Sequence, residues 1–225
     1  MKTLNKSRLV AFLIGIWVFC VVLIVIGFAW YDVRQTTLLP APPLMLPTKA
    51  QIITTPPKQK PVVAMFLHPR CPCSRASLKE FSNVVRNLSS DADFRVIFFK
   101  PASQNLDWVR CDNLFATAST MKNVTVSIDE DGKEAERFGA ETSGFVVAYD
   151  AHGSLLFSGG ITGARGHEGK NAGEEFLQNM VRRARQREMP TVQPAQSPVF
   201  GCAILANPLN TMRRAQYLPT QPNRN

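Results

Sequence analysis

The longest apolar run is Leu9 to Tyr31, 23 residues without a charge. As a helix rising 1.5 Å per residue it covers roughly 34 Å, enough for a hydrocarbon core of about 30 Å. Trp17 lies inside it, and Trp30 and Tyr31 close it as interfacial anchors do. Asp32 to Pro61 then carries seven prolines and no apolar period, which predicts an extended spacer. From Pro61 the pattern alternates. Pro61 to Leu67 reads as a buried strand, and Phe94–Phe99 and Val124–Ile128 as two more. Ser74 to Leu88 places Leu78, Phe81, Val84, Val85 and Leu88 on one helical face. Leu106 to Met121 reads as a helix, and Lys133 to Phe138 as a short one capped by Gly139. Phe145–Tyr149 and Ser154–Phe157 flank the turn signal Asp150-Ala151-His152-Gly153 and predict a hairpin. Ala172 to Glu188 puts Phe176, Met180, Val181 and Ala184 together.

Five segments follow: an N-terminus of residues 1–8, a transmembrane helix of 9–31, a Pro-rich linker of 32–61, a body of 62–189, and a tail of 190–225. The tail is rich in Pro, Gln and Asn and reads as mostly non-globular, apart from an apolar piece at 198–204 that could dock on the body. The body's order, β-α-β-α-β-α-β-β-α, predicts a mixed α/β sheet with an antiparallel edge from the hairpin. It contains no internal repeat, no phosphate-binding loop and no G-x-G-x-x-G after the first strand.

Charge sharpens this division. The 225 residues carry a net charge of +9. Seven basic residues against Asp32 give +6 over 1–61, the body balances to zero, and three arginines give +3 on the tail. A neutral body argues against a nucleic-acid partner. Lys2, Lys6 and Arg8 precede the apolar run, which places the N-terminus in the cytoplasm and the body outside it, in the periplasm of a bacterium. The run is longer than a signal peptide's apolar region and ends in bulky Phe28-Ala29-Trp30-Tyr31, so it reads as an uncleaved anchor. A hydrophobic share of 45% excludes a wholly disordered chain, and five cysteines are too few for a disulfide-stapled scaffold.

The candidate chemistry lies where the first strand runs into the first body helix, at His68-Pro69-Arg70-Cys71-Pro72-Cys73-Ser74-Arg75. Unpaired backbone N–H groups and the helix dipole favour an anion there, and a thiolate is such an anion. Arg70 and Arg75 add positive charge, and a protonated His68 would add more. The Cys71-Pro72-Cys73 motif, with the stretch Phe138 to Gly153 ending in the hairpin, resembles the thioredoxin-like family. Within that family the chain is similar to membrane-tethered extracytoplasmic reductases of the TlpA and ResA kind, over about residues 60–185. The blocks H-P-x-C-P-C, G-G-I-T-G-A-R-G-H-E-G and P-V-F-G-C are closer still to RedB-type membrane proteins. The resemblance implies a three-layer α/β/α thioredoxin-like sheet and thiol–disulfide exchange with protein thiols and disulfides, without an organic cofactor.

Two departures stand out. The cysteines are spaced C-x-C where the family has C-x-x-C, and Gly144 aligns with the family's cis-proline. Cys71 reads as the attacking thiolate and the more exposed of the pair. Cys73 and Cys202 are candidate resolving thiols, and Cys111 reads as a small hydrophobe on the middle helix.

Gly159 to Gly173 holds six glycines in fifteen residues, so it is either mobile or wraps closely around something. It carries Arg165, His167 and Glu168, candidates for tuning the thiols. An alternative is a copper-binding assembly factor using Cys71, Cys73 and His167, since thiolate and imidazole suit copper. A non-catalytic thioredoxin-like interaction module is a further alternative. The arginines of the last helix read as its solvated face, and His152 as a turn residue.

Overall fold

The computed structural model describes residues 6–33, 42–47, 50, 60–186 and 193–204. The first helix, α1 (Lys6–Val33), contains the Arg8–Trp30 stretch, long and apolar enough to cross a membrane. None of that stretch is buried against the rest of the chain.

The body follows as β1 (Val62–Leu67), α2 (Ser74–Leu88), β2 (Asp93–Lys100), α3 (Leu106–Arg110), α4 (Asn113–Ser119), β3 (Val124–Glu130), α5 (Lys133–Arg137), β4 (Phe145–Tyr149), β5 (Leu155–Gly159), α6 (Ala172–Arg185) and β6 (Ala195–Gln196). The sheet runs β3-β2-β1-β4-β5-β6. β1, β2 and β3 are parallel, β4 is antiparallel to both β1 and β5, and β6 adds to β5 in parallel. This is a mixed α/β sheet of thioredoxin-like layout.

Every β1 residue is buried because the strand has a neighbour on each side and a core on each face. Its side chains alternate between the two cores, as the pleat requires. Val63, Met65 and Leu67 join Phe81, Val84 and Leu88 of α2 and Leu177 and Val181 of α6. Ala64 and Phe66 join Ala135 of α5, Phe138 and Phe145. The second core draws on β1, β2, β4 and β5, and among the described residues five-residue α5 is its only helix, too little to cover four strands. Extended chain completes it: Leu46 and Ala50 from the linker and Val199 and Ile204 from the tail.

This corrects the reading of the linker as a spacer throughout. Residues 42–47 lie on the body: Leu46 N–H donates to the Gly153 carbonyl at 2.8 Å, Leu155 N–H to Leu44 at 2.9 Å, and the Tyr149 hydroxyl to Pro43 at 2.9 Å. Most of the remaining linker lies outside the described residues. Tail docking begins at Ala195, before the expected 198, and the tail beyond 204 is also outside the described residues.

Two helices differ from the pattern. The expected helix over 106–121 is split, because Asp112 has extended backbone and its carboxylate accepts from Asn113 N–H, capping α4. Cys111 sits exposed at that break and packs in neither core. On α6, Leu177 is buried and Phe176 is 48% exposed. The buried face runs through 173, 177, 180 and 181, one position away from Phe176.

Candidate functional site

The site lies at the C-terminal end of β1, where its two sheet neighbours come from different parts of the chain. Such a switch point is where open α/β sheets place ligands. After Leu67 the chain makes two successive turns, Cys71 N–H to the His68 carbonyl at 3.2 Å and Ser74 N–H to the Cys71 carbonyl at 3.0 Å. Pro72 is exposed between the two cysteines. Cys71 faces inward, only 4% exposed, and Cys73 is half-buried at the α2 N-cap. The order of exposure is the reverse of the sequence expectation, because the turns tuck residue 71 under the tail.

The tail brings the third thiol. Ser143 N–H donates to the Cys202 carbonyl at 2.8 Å, Ile204 N–H to the Glu141 carbonyl at 2.8 Å, and Thr142 bridges Ala203 antiparallel. Buried Val199, Phe200 and Ile204 anchor the segment on either side. A Cβ at Gly201 would collide with the Ser143 carbonyl, so only glycine lets the two backbones lie this close. The sulfurs of Cys71, Cys73 and Cys202 all lie within 4.8 Å of one another.

Ser143 also ties the site to β1. Its hydroxyl accepts from His68 N–H at 2.8 Å and lies 2.7 Å from the buried Ser74 hydroxyl. With the Ser143 proton donated to Ser74, the single Ser74 proton is left for the His68 carbonyl, 3.1 Å away, or for the Cys71 sulfur. Burial by itself raises the Cys71 pKa. Hydrogen bonds from the Cys202 thiol and N–H, the Ser74 hydroxyl and the Cys73 N–H outweigh it, and the net shift is downward. Cys73 is raised, by burial and then by the negative Cys71 sulfur. Cys202 is pushed up to about 12, by burial and then by its thiol bond to Cys71. Cys71 therefore ionises first, and the other two remain protonated beside it.

The remaining sequence candidates divide. His68 stacks on Phe99 and meets Trp108 edge-on, each at 5.6 Å, and its Nδ1 accepts from Arg70 N–H at 3.2 Å. Burial and then the Arg70 charge lower its pKa, so at pH 7 it adds no charge to the thiols. The Arg70 guanidinium lies over Trp108 at 4.5 Å, and exposed Arg75 pairs with Asp112 at 2.8 Å. The positive charge acting on Cys73 and Cys202 is Arg165, whose guanidinium donates to the Gly201 carbonyl. His167 is exposed with Nδ1 3.0 Å from the Arg165 carbonyl, and Glu168 is exposed on the rim of a cleft beside Arg75 and Asp112. Among the described residues the group able to hold a metal is Cys71, Cys73 and Cys202, and His167 is not in it. Gly144, at φ +93°, donates its N–H to the Phe66 carbonyl at 2.8 Å, and a Cβ there would press on the Ser77 hydroxyl at 2.6 Å.

The glycine-rich loop wraps something after all. Gly159, Gly160 and Gly173 have no room for a Cβ because tail residues 197–199 and the Gly160 carbonyl lie against them. Its outer part is held by Glu80, which is 2% exposed and accepts from Gly169 N–H at 2.7 Å. Sequence reasoning missed Glu80, Ser74 and Ser143. The signal for Glu80 was a carboxylate interrupting the apolar stripe of α2. The two serines gave no signal until the chain ends met.

No family model and no curated protein matches the chain. Solved structures do. An uncharacterized conserved protein from Geobacillus kaustophilus is 18% identical, with 78% of this chain and 96% of that chain covered and a TM-score of 0.57. A hypothetical protein from Sinorhizobium meliloti 1021 is 19% identical, covering 67% and 81%, at 0.53. A secreted Mycobacterium tuberculosis disulfide oxidoreductase homologous to E. coli DsbE is more distant, 19% identical over 56% and 83% at 0.40. The first two share this fold.

Proposed function

We propose that the chain is a single-pass membrane protein whose thioredoxin-like body carries out thiol–disulfide exchange outside the cytoplasm. The observation that carries this reading is one thiol held toward its ionised form by hydrogen-bond donors, with two protonated thiols within 4.8 Å. The Cys71 thiolate attacks one sulfur of a partner disulfide, forming a mixed disulfide and releasing the other partner sulfur as a thiolate, which takes a proton. Cys73 or Cys202, losing its proton, then attacks the Cys71 sulfur and releases the second partner thiol. The partner gains two electrons and the chain ends with one disulfide. A separate dithiol must re-reduce it, or the cycle runs backward as an oxidation. Because Cys71 is covered, a partner reaches it only when the 200–204 segment or the Pro72 turn shifts.

Topology belongs to the same proposal: Lys2, Lys6 and Arg8 hold the N-terminus in the cytoplasm, and α1 anchors the body on the far side. The test is thiol trapping with the full chain in detergent. Cys73→Ser and Cys202→Ser, made singly and together, are incubated with disulfide-bearing protein and acid-quenched for mass spectrometry. A mixed disulfide on Cys71 that accumulates most in the double variant is expected. Absence of any Cys71 adduct in all three variants defeats the reading.

A further inference from the structure

Three sulfurs from two distant stretches converge, and no histidine or carboxylate joins them among the described residues. An ion centred among sulfurs no more than 4.8 Å apart lies at most about 2.8 Å from each, against about 2.3 Å for a zinc–thiolate bond. Closing that gap takes at most about 0.5 Å per sulfur, within reach of small side-chain rotations. The cradle is built rather than accidental. Ser143 N–H fixes the Cys202 backbone, Gly201 lies flush against the Ser143 carbonyl, and Arg165 clamps the Gly201 carbonyl.

We propose that Cys71, Cys73 and Cys202 form a three-thiolate site for a soft monovalent metal ion, with Cu(I) as the fitting species. Zinc in a closed protein site takes four ligands, and the described residues supply three here. All-thiolate donor sets select Cu(I). The third donor that the sequence pattern suggested, His167, is replaced by Cys202, because the tail reaches the cysteine pair and the outer loop does not. Binding forms three Cu–S bonds and releases the thiol protons to solvent, and no electron changes hands. Three thiolates and one Cu(I) leave two negative charges, which Arg165 and the α2 N-terminus partly offset. When a partner disulfide takes up two electrons and leaves two of the cysteines joined as a disulfide, two donors are lost and the metal leaves. The site uses the same cysteines as the exchange chemistry and does not depend on it.

The test uses the full chain in detergent, reduced and free of oxygen, titrated with Cu(I) against a chromogenic Cu(I) chelator. Cys20 and Cys111 are replaced by serine to remove background thiols. One Cu(I) per chain is expected, with an X-ray absorption spectrum of three sulfur neighbours. Cys202→Ser should weaken binding by about 100-fold or more and leave two sulfurs. His167→Ala should bind as the parent does. Binding below one ion per chain, a nitrogen neighbour lost in His167→Ala, or unchanged affinity and spectrum in Cys202→Ser overturns the proposal. The sulfur count in the parent chain keeps the test decisive if Cys202→Ser fails to fold. A chain that binds Cu(I) but traps no mixed disulfide defeats the exchange reading alone, and the converse defeats this one alone.

Discussion

Ser143 shows how much one small side chain can organise. Its backbone N–H holds the tail through the Cys202 carbonyl, and its hydroxyl joins His68 N–H to Ser74, which faces Cys71. Ser74→Ala removes a donor to the Cys71 sulfur, so the Cys71 pKa rises. Alkylation of Cys71 by iodoacetamide at pH 7 should slow several-fold, with the rate recovered at higher pH. Ser143→Ala should act in the same direction through Ser74 and lower stability by about 1–3 kcal/mol, because His68 N–H loses its partner. Gly144→Pro puts a proline where the thioredoxin-like proteins that the sequence resembles have one. Proline needs φ near −65° where Gly144 has +93°, and it loses the N–H bonded to Phe66. A loss of about 3 kcal/mol or more is expected by denaturant unfolding. At this scale the C-P-C motif was legible in the sequence, because a thiol pair before a helix is a local signal. The serines were not, because their meaning comes from partners about seventy positions away.

Among the elements, α5 is short, so its ends matter. Buried Asp129 accepts from Glu134 N–H at 2.9 Å and Ala135 N–H at 2.8 Å, capping the helix, and Gly139 at φ +65° follows its end. Burial, offset in part by backbone hydrogen bonds from Ala135 and Lys133, pushes the Asp129 carboxyl up to about 6. A carboxyl raised in the folded state holds its proton more tightly than in the unfolded chain. Its contribution is therefore fully present below the unfolded pKa near 3.8 and is lost as pH rises to about 6. Melting temperatures of the parent minus those of Asp129→Asn should fall between about pH 4 and 6 and level off above. The tail segment behaves as an element too. Phe200→Ala empties a buried site and should cost about 3–5 kcal/mol if the tail stays docked. A much smaller loss, with faster Cys71 alkylation, would mean that it undocks instead.

For the whole molecule, the governing fact is an unevenly covered sheet. Four helices, α2, α3, α4 and α6, serve one core, and the other has α5 plus stretches of linker and tail. Linker residues 42–47 and tail residues 195–204 are thus structural parts of the body, and the tail also of its site. Removing residues 193–225 should lower the melting temperature, speed Cys71 alkylation and expose β5 as an edge able to pair with another copy. Thermal melting, alkylation kinetics and light scattering on the truncated chain check the three effects. Unchanged Cys71 reactivity would show that the tail does not cover the thiol.

Local sequence was enough for the long apolar N-terminal helix, most of the order of strands and helices in the body, its neutral charge and the thiol pair at a helix start. Each is written in short-range periodicity, composition or spacing. Tertiary structure alone decided that Cys202 joins the pair, that Arg165 and not His167 reaches it, and that Cys71 is the covered thiol. It also decided that linker and tail complete the second core. The physical reason is the same in each case. The tail docks because one sheet face lacks helical cover, and Gly159, Gly160, Gly173 and Gly201 let its backbone approach, a fit between surfaces that no local pattern records.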